Sequence, residues 1–240
     1  MSTAFLKDTQ AYWLEQYDWR AAEKTLNAWP QYRTEIDGLE IHFLHVIGEA
    51  KGRRPLLLTH GWPGSVYEFY DAIGPLAFPS QHGGHEEDAF DLVIPSLPGY
   101  GFSGKPASPL GQKATADLWN TLMTDRLGYE TYLAQGGDWG SVVTSNIALA
   151  HGTDRGGGCR GIHLNMIGVR RAAKGKGLGR RLIEHVHLMS REDAHSEGVT
   201  LTTEDEANVS LYQHFGYEIV GHATVGWGLN TWGFFRRDTR

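Results

Sequence analysis

Apolar and aromatic positions recur at helical spacing through residues 9–28 (Trp13, Leu14, Tyr17 and Ala21, then Ala22 and Leu26) until Trp29-Pro30 ends the run, so one or two short helices packed on a domain surface are expected. The period then falls to two. Residues 32–36 and 39–46 flank Asp37-Gly38, a pair that accepts positive φ and predicts a hairpin closed by a type I′ turn. Residues 55–60 and 90–95 are short, nearly continuous apolar runs with a helical segment between them at 65–76, the pattern of parallel strands joined by a crossover helix. A helix over 115–127 turns Leu118, Trp119, Leu122 and Met123 inward, and a strand at 131–135 runs directly into Gly-Gly-Asp-Trp-Gly-Ser at 136–141, with a helix at 139–149 behind it. Residues 151–160, with Gly156, Gly157 and Gly158, read as a flexible surface connection.

Beyond that loop, Ile162, Leu164, Met166, Ile167 and Val169 mark a buried strand over 161–169, and a glycine-rich turn then opens a helix at 178–190 with Leu182, Ile183 and Val186 on one side. A strand at 199–203, a short helix at 208–216, a strand at 217–221 and a last strand near 231–236 complete the chain. Strands and helices in this alternation predict an α/β class with a doubly wound, mostly parallel sheet.

Composition narrows the possibilities. The 240 residues suffice for one large α/β domain or two small ones, and 40% hydrophobic residues with 31 glycines and 8 tryptophans suit a globular core with many tight turns. A net charge of −6 gives no basic field for nucleic acid, and the cations clustered at 170–181 and 236–240 are too local to reverse it. The first residues lack a charged segment followed by an apolar core, and no uncharged apolar run approaches the roughly 20 residues of a membrane helix, so a cytoplasmic protein without a membrane partner is expected. No metal is expected. The single cysteine, Cys159, excludes an internal disulfide and reads as incidental rather than nucleophilic.

The chemistry gathers where strands end. Gly136, Gly137 and Gly140 surround Asp138, as a sharp bend from strand to helix requires; such a bend lifts Asp138 clear of the sheet, although an aspartate there can also serve as a plain helix N-cap. His60-Gly-Trp-Pro63 follows one strand and Pro95-Ser-Leu-Pro-Gly-Tyr-Gly-Phe-Ser103 follows the next, so all three motifs fall at strand carboxyl ends, where open α/β sheets keep their sites. In this order they make residues 9–170 resemble the epoxide hydrolases of the α/β-hydrolase fold, of the kind with an N-terminal helical extension. The resemblance implies that Asp138 attacks an epoxide carbon to form an alkyl ester and that the backbone N–H groups of Trp62 and Trp139 form the oxyanion hole, with no cofactor. That family also uses two cap tyrosines as proton donors and a late acid and histidine to activate water. The chain leaves the pattern before any of these, so impaired turnover is expected.

From about residue 167 the chain instead resembles the C-terminal half of GNAT-family acyltransferases. The resemblance implies an acetyl-CoA pyrophosphate site at Lys174, Gly175, Gly177, Gly179 and Arg180, with Asn208 placing the cofactor and Tyr212 protonating the departing thiolate. A row of N–H groups at a helix start does suit an anion, but Lys174 to Gly179 has neither the Walker nor the dinucleotide glycine pattern. His163 is the titratable residue on the strand where that family often keeps its base, and a strand histidine is more often packed than catalytic.

The expected organisation is therefore an epoxide hydrolase-like region without a cap at 1–166 and an acyl-CoA-binding region at 167–240. A single merged sheet is the first choice and two joined part-domains the second. Hydrolysis of a small epoxide leads, N-acylation of an amine follows, and an inactive fusion is the third reading; oligomeric state is left open. Were strands 199–203 and 217–221 to finish the hydrolase sheet, Glu204 or Asp205 and His222 would fall where that fold keeps its acid and histidine. Ordinary strand-end and helix-start roles are the preferred reading of Glu204 and Asp205, and His222 reads as one of 12 histidines, on a strand edge.

Overall fold

The computed structural model describes residues 2–163, 177–192, 197–225 and 228–238. Strands β1 (Gln31–Ile36) and β2 (Leu39–Val46) pair antiparallel, with Ile36 opposite Leu39, so Asp37-Gly38 alone makes the turn; φ of 50° and 77° at these residues gives the expected I′ geometry. Strands β3 (Arg54–Thr59), β4 (Phe90–Pro95), β5 (Tyr132–Gly136) and β6 (Cys159–His163) continue the sheet in the order β1-β2-β4-β3-β5-β6. β2 meets β4 antiparallel, and β4, β3, β5 and β6 run parallel. The chain passes from β3 to β4 on one side and then returns to β5 on the other. This switch sets the carboxyl ends of β3, β4 and β5 around one crevice.

Alternation along the central strands supplies both faces. Leu58, Leu92 and Ile94 pack with Ile73 and Ala77 of helix α3 (Tyr70–Ala77), whereas Leu57 and Val93 pack with Leu118, Trp119, Val143 and Ile147 of helices α4 (Gln112–Thr121) and α5 (Trp139–His151). α4 runs on into a wider turn at Leu122–Arg126 that keeps Leu122 and Met123 buried. Ahead of the sheet, α1 (Thr3–Glu15) and α2 (Trp19–Leu26) are capped by Ser2 and Asp18. α2 is tied down at its end, where the Leu26 carbonyl accepts from Gln31 Nε2 and Tyr70 Oη, each at 2.7 Å. α1 departs from expectation: none of its residues is buried, and Tyr12, Trp13 and Leu14 face solvent.

At the amino ends of the parallel strands lies a buried charge. Asp91 Oδ1 accepts from Gly48 N–H at 2.9 Å and from the Arg53 guanidinium, while Oδ2 accepts from Tyr129 Oη, which itself accepts from His45 Nε2 at 2.8 Å. Removing a partner from a buried ion leaves that ion uncompensated, so Arg53→Met is expected to lower unfolding free energy by about 3 kcal/mol in urea titrations.

The last strands correct the expectation of one merged sheet. β7 (Gly198–Thr203), β8 (Glu218–Val225) and β9 (Leu229–Arg237) form a separate sheet ordered β7-β9-β8, antiparallel throughout. With helices α6 (Leu178–Glu192) and α7 (Ala207–His214) in the same segment, it has its own core of Ile183, Leu201, Tyr217 and Phe234. The physical reason is the link between β8 and β9: with β8 ending at Val225 and β9 starting at Leu229, the chain between them is too short for the crossover that a parallel continuation demands.

Candidate active site

Asp138 occupies the bend between β5 and α5 with φ 50° and ψ −122°, a conformation side chains rarely adopt. Three glycines make room for it. A Cβ on Gly136 would stand 2.5 Å from the Gly140 carbonyl, one on Gly140 would stand 2.1 Å from the Thr59 carbonyl oxygen, and one on Gly61 would stand 2.5 Å from Asp138 Cβ. The backbone of α5 therefore meets the end of β3 directly, and Asp138 is carried up beside the loop that follows β3.

The Asp138 side chain does not cap its helix. Its Oδ1 instead accepts the Trp62 backbone N–H at 2.9 Å. The Trp139 N–H faces the same carboxylate without a bond of full geometry, and the two N–H groups, Trp62 first, hold the Asp138 carboxyl below the usual carboxylate range. The exposed indoles of Trp62 and Trp139 belong to the same two residues. Two main-chain donors thus face one carboxylate, an arrangement that also suits an anion developing on an acyl oxygen at this position.

Two buried histidines brace the loops. His60 accepts the Leu97 N–H on Nε2 at 3.0 Å, so its proton sits on Nδ1 and is donated to the Gly61 carbonyl at 2.9 Å. Burial lowers its pKa, outweighing the raising effects of the Gly61 bond and Glu68. His42 on β2 lies between Ser96 Oγ and Gln31 Oε1, each at 2.9 Å, and burial followed by the Arg33 charge lowers its pKa to about 4. Ser96, His42 and Gln31 have the order of a hydrolytic triad, but Ser96 is buried, which makes this a brace for the β4 loop. The His42 network was missed in the sequence. A polar residue among apolar neighbours on β2 was the available signal.

The remaining expected residues lie elsewhere. Cys159 is buried, with its thiol pushed up to about 11 by burial, in keeping with an unreactive group. The backbone of His163 pairs with Gln135. Lys174 and Gly175 lie outside the described residues. Gly177 has φ 70° just ahead of α6, and Gly179 and Arg180 are in its first turn. The Arg180 guanidinium stands 5.6 Å from the Phe215 ring centroid and 3.4 Å from His214 Nε2. Asn208 Nδ2 donates to Thr203 Oγ1 at 3.3 Å, and Tyr212 packs on Phe234 and Tyr217. Asp205 accepts from Ala207 N–H at the start of α7, Glu204 accepts from Thr231, and His222 stacks on Trp232. Because β7 and β8 do not extend the large sheet, the premise of a relay through Glu204, Asp205 and His222 fails. Among the described residues no group of metal-ligating side chains occurs, and no helix is long and apolar enough to cross a membrane.

Residues 54–238 match the family model of the alpha/beta hydrolase fold. The chain belongs to that family. Residues 1–69 match the model of the epoxide hydrolase N terminus. It is 53% identical over 163 residues to a putative epoxide hydrolase of Stigmatella aurantiaca, and 40% identical over 167 residues to epoxide hydrolase 1 of Oryctolagus cuniculus; each match covers 68% of this chain and 36% of the relative. The chain thus spans about a third of the length of these relatives. Among solved structures, it is similar to juvenile hormone epoxide hydrolase from the silkworm Bombyx mori (TM-score 0.62, 37% identity, 78% of this chain and 43% of that one). It is also similar to the Aspergillus niger epoxide hydrolase (TM-score 0.60, 34% identity, 81% and 53%). Neither family model is that of an acyltransferase, and the hydrolase model runs across the segment expected to bind acetyl-CoA, so that expectation gains no support.

Proposed function

We propose that this chain opens small epoxides through an ester on Asp138, and that residues 1–166 carry this chemistry. The observation that carries the reading is the Trp62 N–H on one oxygen of an exposed carboxylate held at a strained bend. With Oδ1 held by the Trp62 N–H, Oδ2 attacks the less hindered epoxide carbon; the C–O bond of the ring breaks, and its oxygen takes a proton from solvent. Water then attacks the ester carbonyl carbon and gives up its protons to solvent, and the charge develops on the oxygen facing the Trp62 and Trp139 N–H groups. Collapse breaks the bond from the acyl carbon to the alkyl oxygen, which takes a proton from solvent to release a diol and the carboxylate. No cofactor takes part.

The second half is proposed to be slow. Among the described residues no imidazole hydrogen-bonds to Asp138, and a general base typically contributes about 10² to 10⁴ in rate. The nucleophile must be ionised, and because its pKa is depressed, the ionised form persists as pH falls through the ordinary carboxylate range. Alkylation by a small epoxide is therefore expected to hold its rate down through that range and to fall only below it. Intact-mass kinetics from neutral to acid pH check this; an acid limb at or above the ordinary aspartate pKa would count against the reading.

A second reading, acetyl-CoA binding and amine acylation by the C-terminal segment, is favoured by one observation: its antiparallel sheet stands apart, with Gly177 in a left-handed conformation at the entrance to α6. On that reading acetyl-CoA raises the melting temperature and Gly177→Leu abolishes the rise. An unchanged melting curve removes it.

A further inference from the structure

We infer that His60 is a positioning residue that aims the Trp62 N–H at Asp138 by gripping the other end of the same peptide unit. The inference deepens the reading of Asp138 as a nucleophile. The Gly61 carbonyl and the Trp62 N–H belong to one planar trans unit, in which C=O and N–H point in opposite directions. The carbonyl is held by His60 Nδ1–H at 2.9 Å, and the N–H bonds Asp138 Oδ1 at 2.9 Å. Rotation of this peptide would break both bonds together, so fixing one end fixes the other. Gly61 needs such a hold because, without a side chain, its own backbone preferences restrain the unit weakly.

The grip is itself anchored. His60 can donate from Nδ1 with a fixed ring only while Nε2 accepts the Leu97 N–H. That N–H belongs to the peptide unit of Ser96 and Leu97, and its carbonyl accepts from Ser103 Oγ at 2.8 Å. Ser103 Oγ in turn accepts the His42 N–H at 3.0 Å, and the His42 ring bonds Ser96 Oγ. Two peptide units, one after β3 and one after β4, are therefore held at both ends, the first by buried His60 and exposed Asp138 and the second by buried His60 and Ser103. The groups facing His60 are Tyr100, whose ring meets it edge-on at 5.6 Å, and Glu68 from the turn Val66–Phe69.

Two substitutions separate the grip from mere packing. The side-chain amide nitrogen of asparagine lies close to where Nδ1 stood and can still donate to Gly61, whereas the amide oxygen of glutamine reaches the Nε2 position and preserves the Leu97 bond alone. In the 240-residue chain, NMR titration of the Asp138 carboxyl is expected to move up toward the ordinary range in His60→Gln and to stay at the wild-type position in His60→Asn. Equal shifts in both, or none in either, overturn the inference. If His60→Gln fails to fold, an Asp138 titration in His60→Asn that matches an ordinary aspartate overturns it as well. The readout does not depend on epoxide chemistry: a wild-type chain that no epoxide alkylates would sink the proposed activity, while this titration would still decide the role of His60.

Discussion

Gly140→Ala is expected to lower stability by about 3 kcal/mol, among the largest losses any single methyl group could cause in this chain. The new Cβ would stand 2.1 Å from the Thr59 carbonyl oxygen and 2.8 Å from its carbon, and both belong to backbone at the end of a central strand. A flexible side chain could swing aside, but here α5 must move away from β3. The bend that holds Asp138 would open with it. Gly61→Ala makes a useful contrast, since its Cβ would meet the Asp138 side chain at 2.5 Å. It should displace the Asp138 side chain at a smaller cost in stability. Urea titration of the two variants checks the order, and equal losses would show that the approach of α5 to β3 is less restrictive than its geometry implies.

The same close approaches explain what could be read in the sequence. Glycines around Asp138 announced the bend because no other residue fits between two backbones at 2 to 3 Å, and Asp37-Gly38 announced the hairpin through its positive φ values. Three glycines at 156–158 misled for the same reason. They were expected to make a flexible connection, yet a Cβ on Gly157 would stand 2.2 Å from the His151 carbonyl oxygen, and one on Gly158 would stand 2.9 Å from the Tyr132 ring. The strand begins at Cys159, directly after them. Glycine signals either freedom or crowding, and local pattern alone does not distinguish them.

The separate C-terminal sheet was hidden for a different reason. Strand-helix-strand alternation is shared by parallel sheets and by the arrangement β7-α7-β8, and the decision fell to the short link before β9, an element whose partners are set by tertiary pairing. The braces at His60 and His42 depend on which tautomer and which loop face each ring, and neither property leaves a periodic trace.

The second large effect concerns the proposed nucleophile. Asp138→Asn should remove alkylation by more than about 10³-fold, because a neutral amide oxygen has little nucleophilic strength at a saturated carbon, while the Trp62 N–H can still be accepted and the fold kept. Relief of strain gives an independent check on the bend: Asp138→Gly, which has no side chain to oppose φ 50°, is expected to raise stability by about 1 kcal/mol in the same titrations.

The most direct test of the whole account is the intact mass of the protein during incubation with a small epoxide, followed by peptide mapping. The account predicts a mass increase equal to one epoxide, mapped to Asp138, absent in Asp138→Asn, and lost over a far longer time than it takes to form. Rapid diol production with no adduct would contradict the slow second half, and an adduct that survives Asp138→Asn would contradict the assignment of the nucleophile.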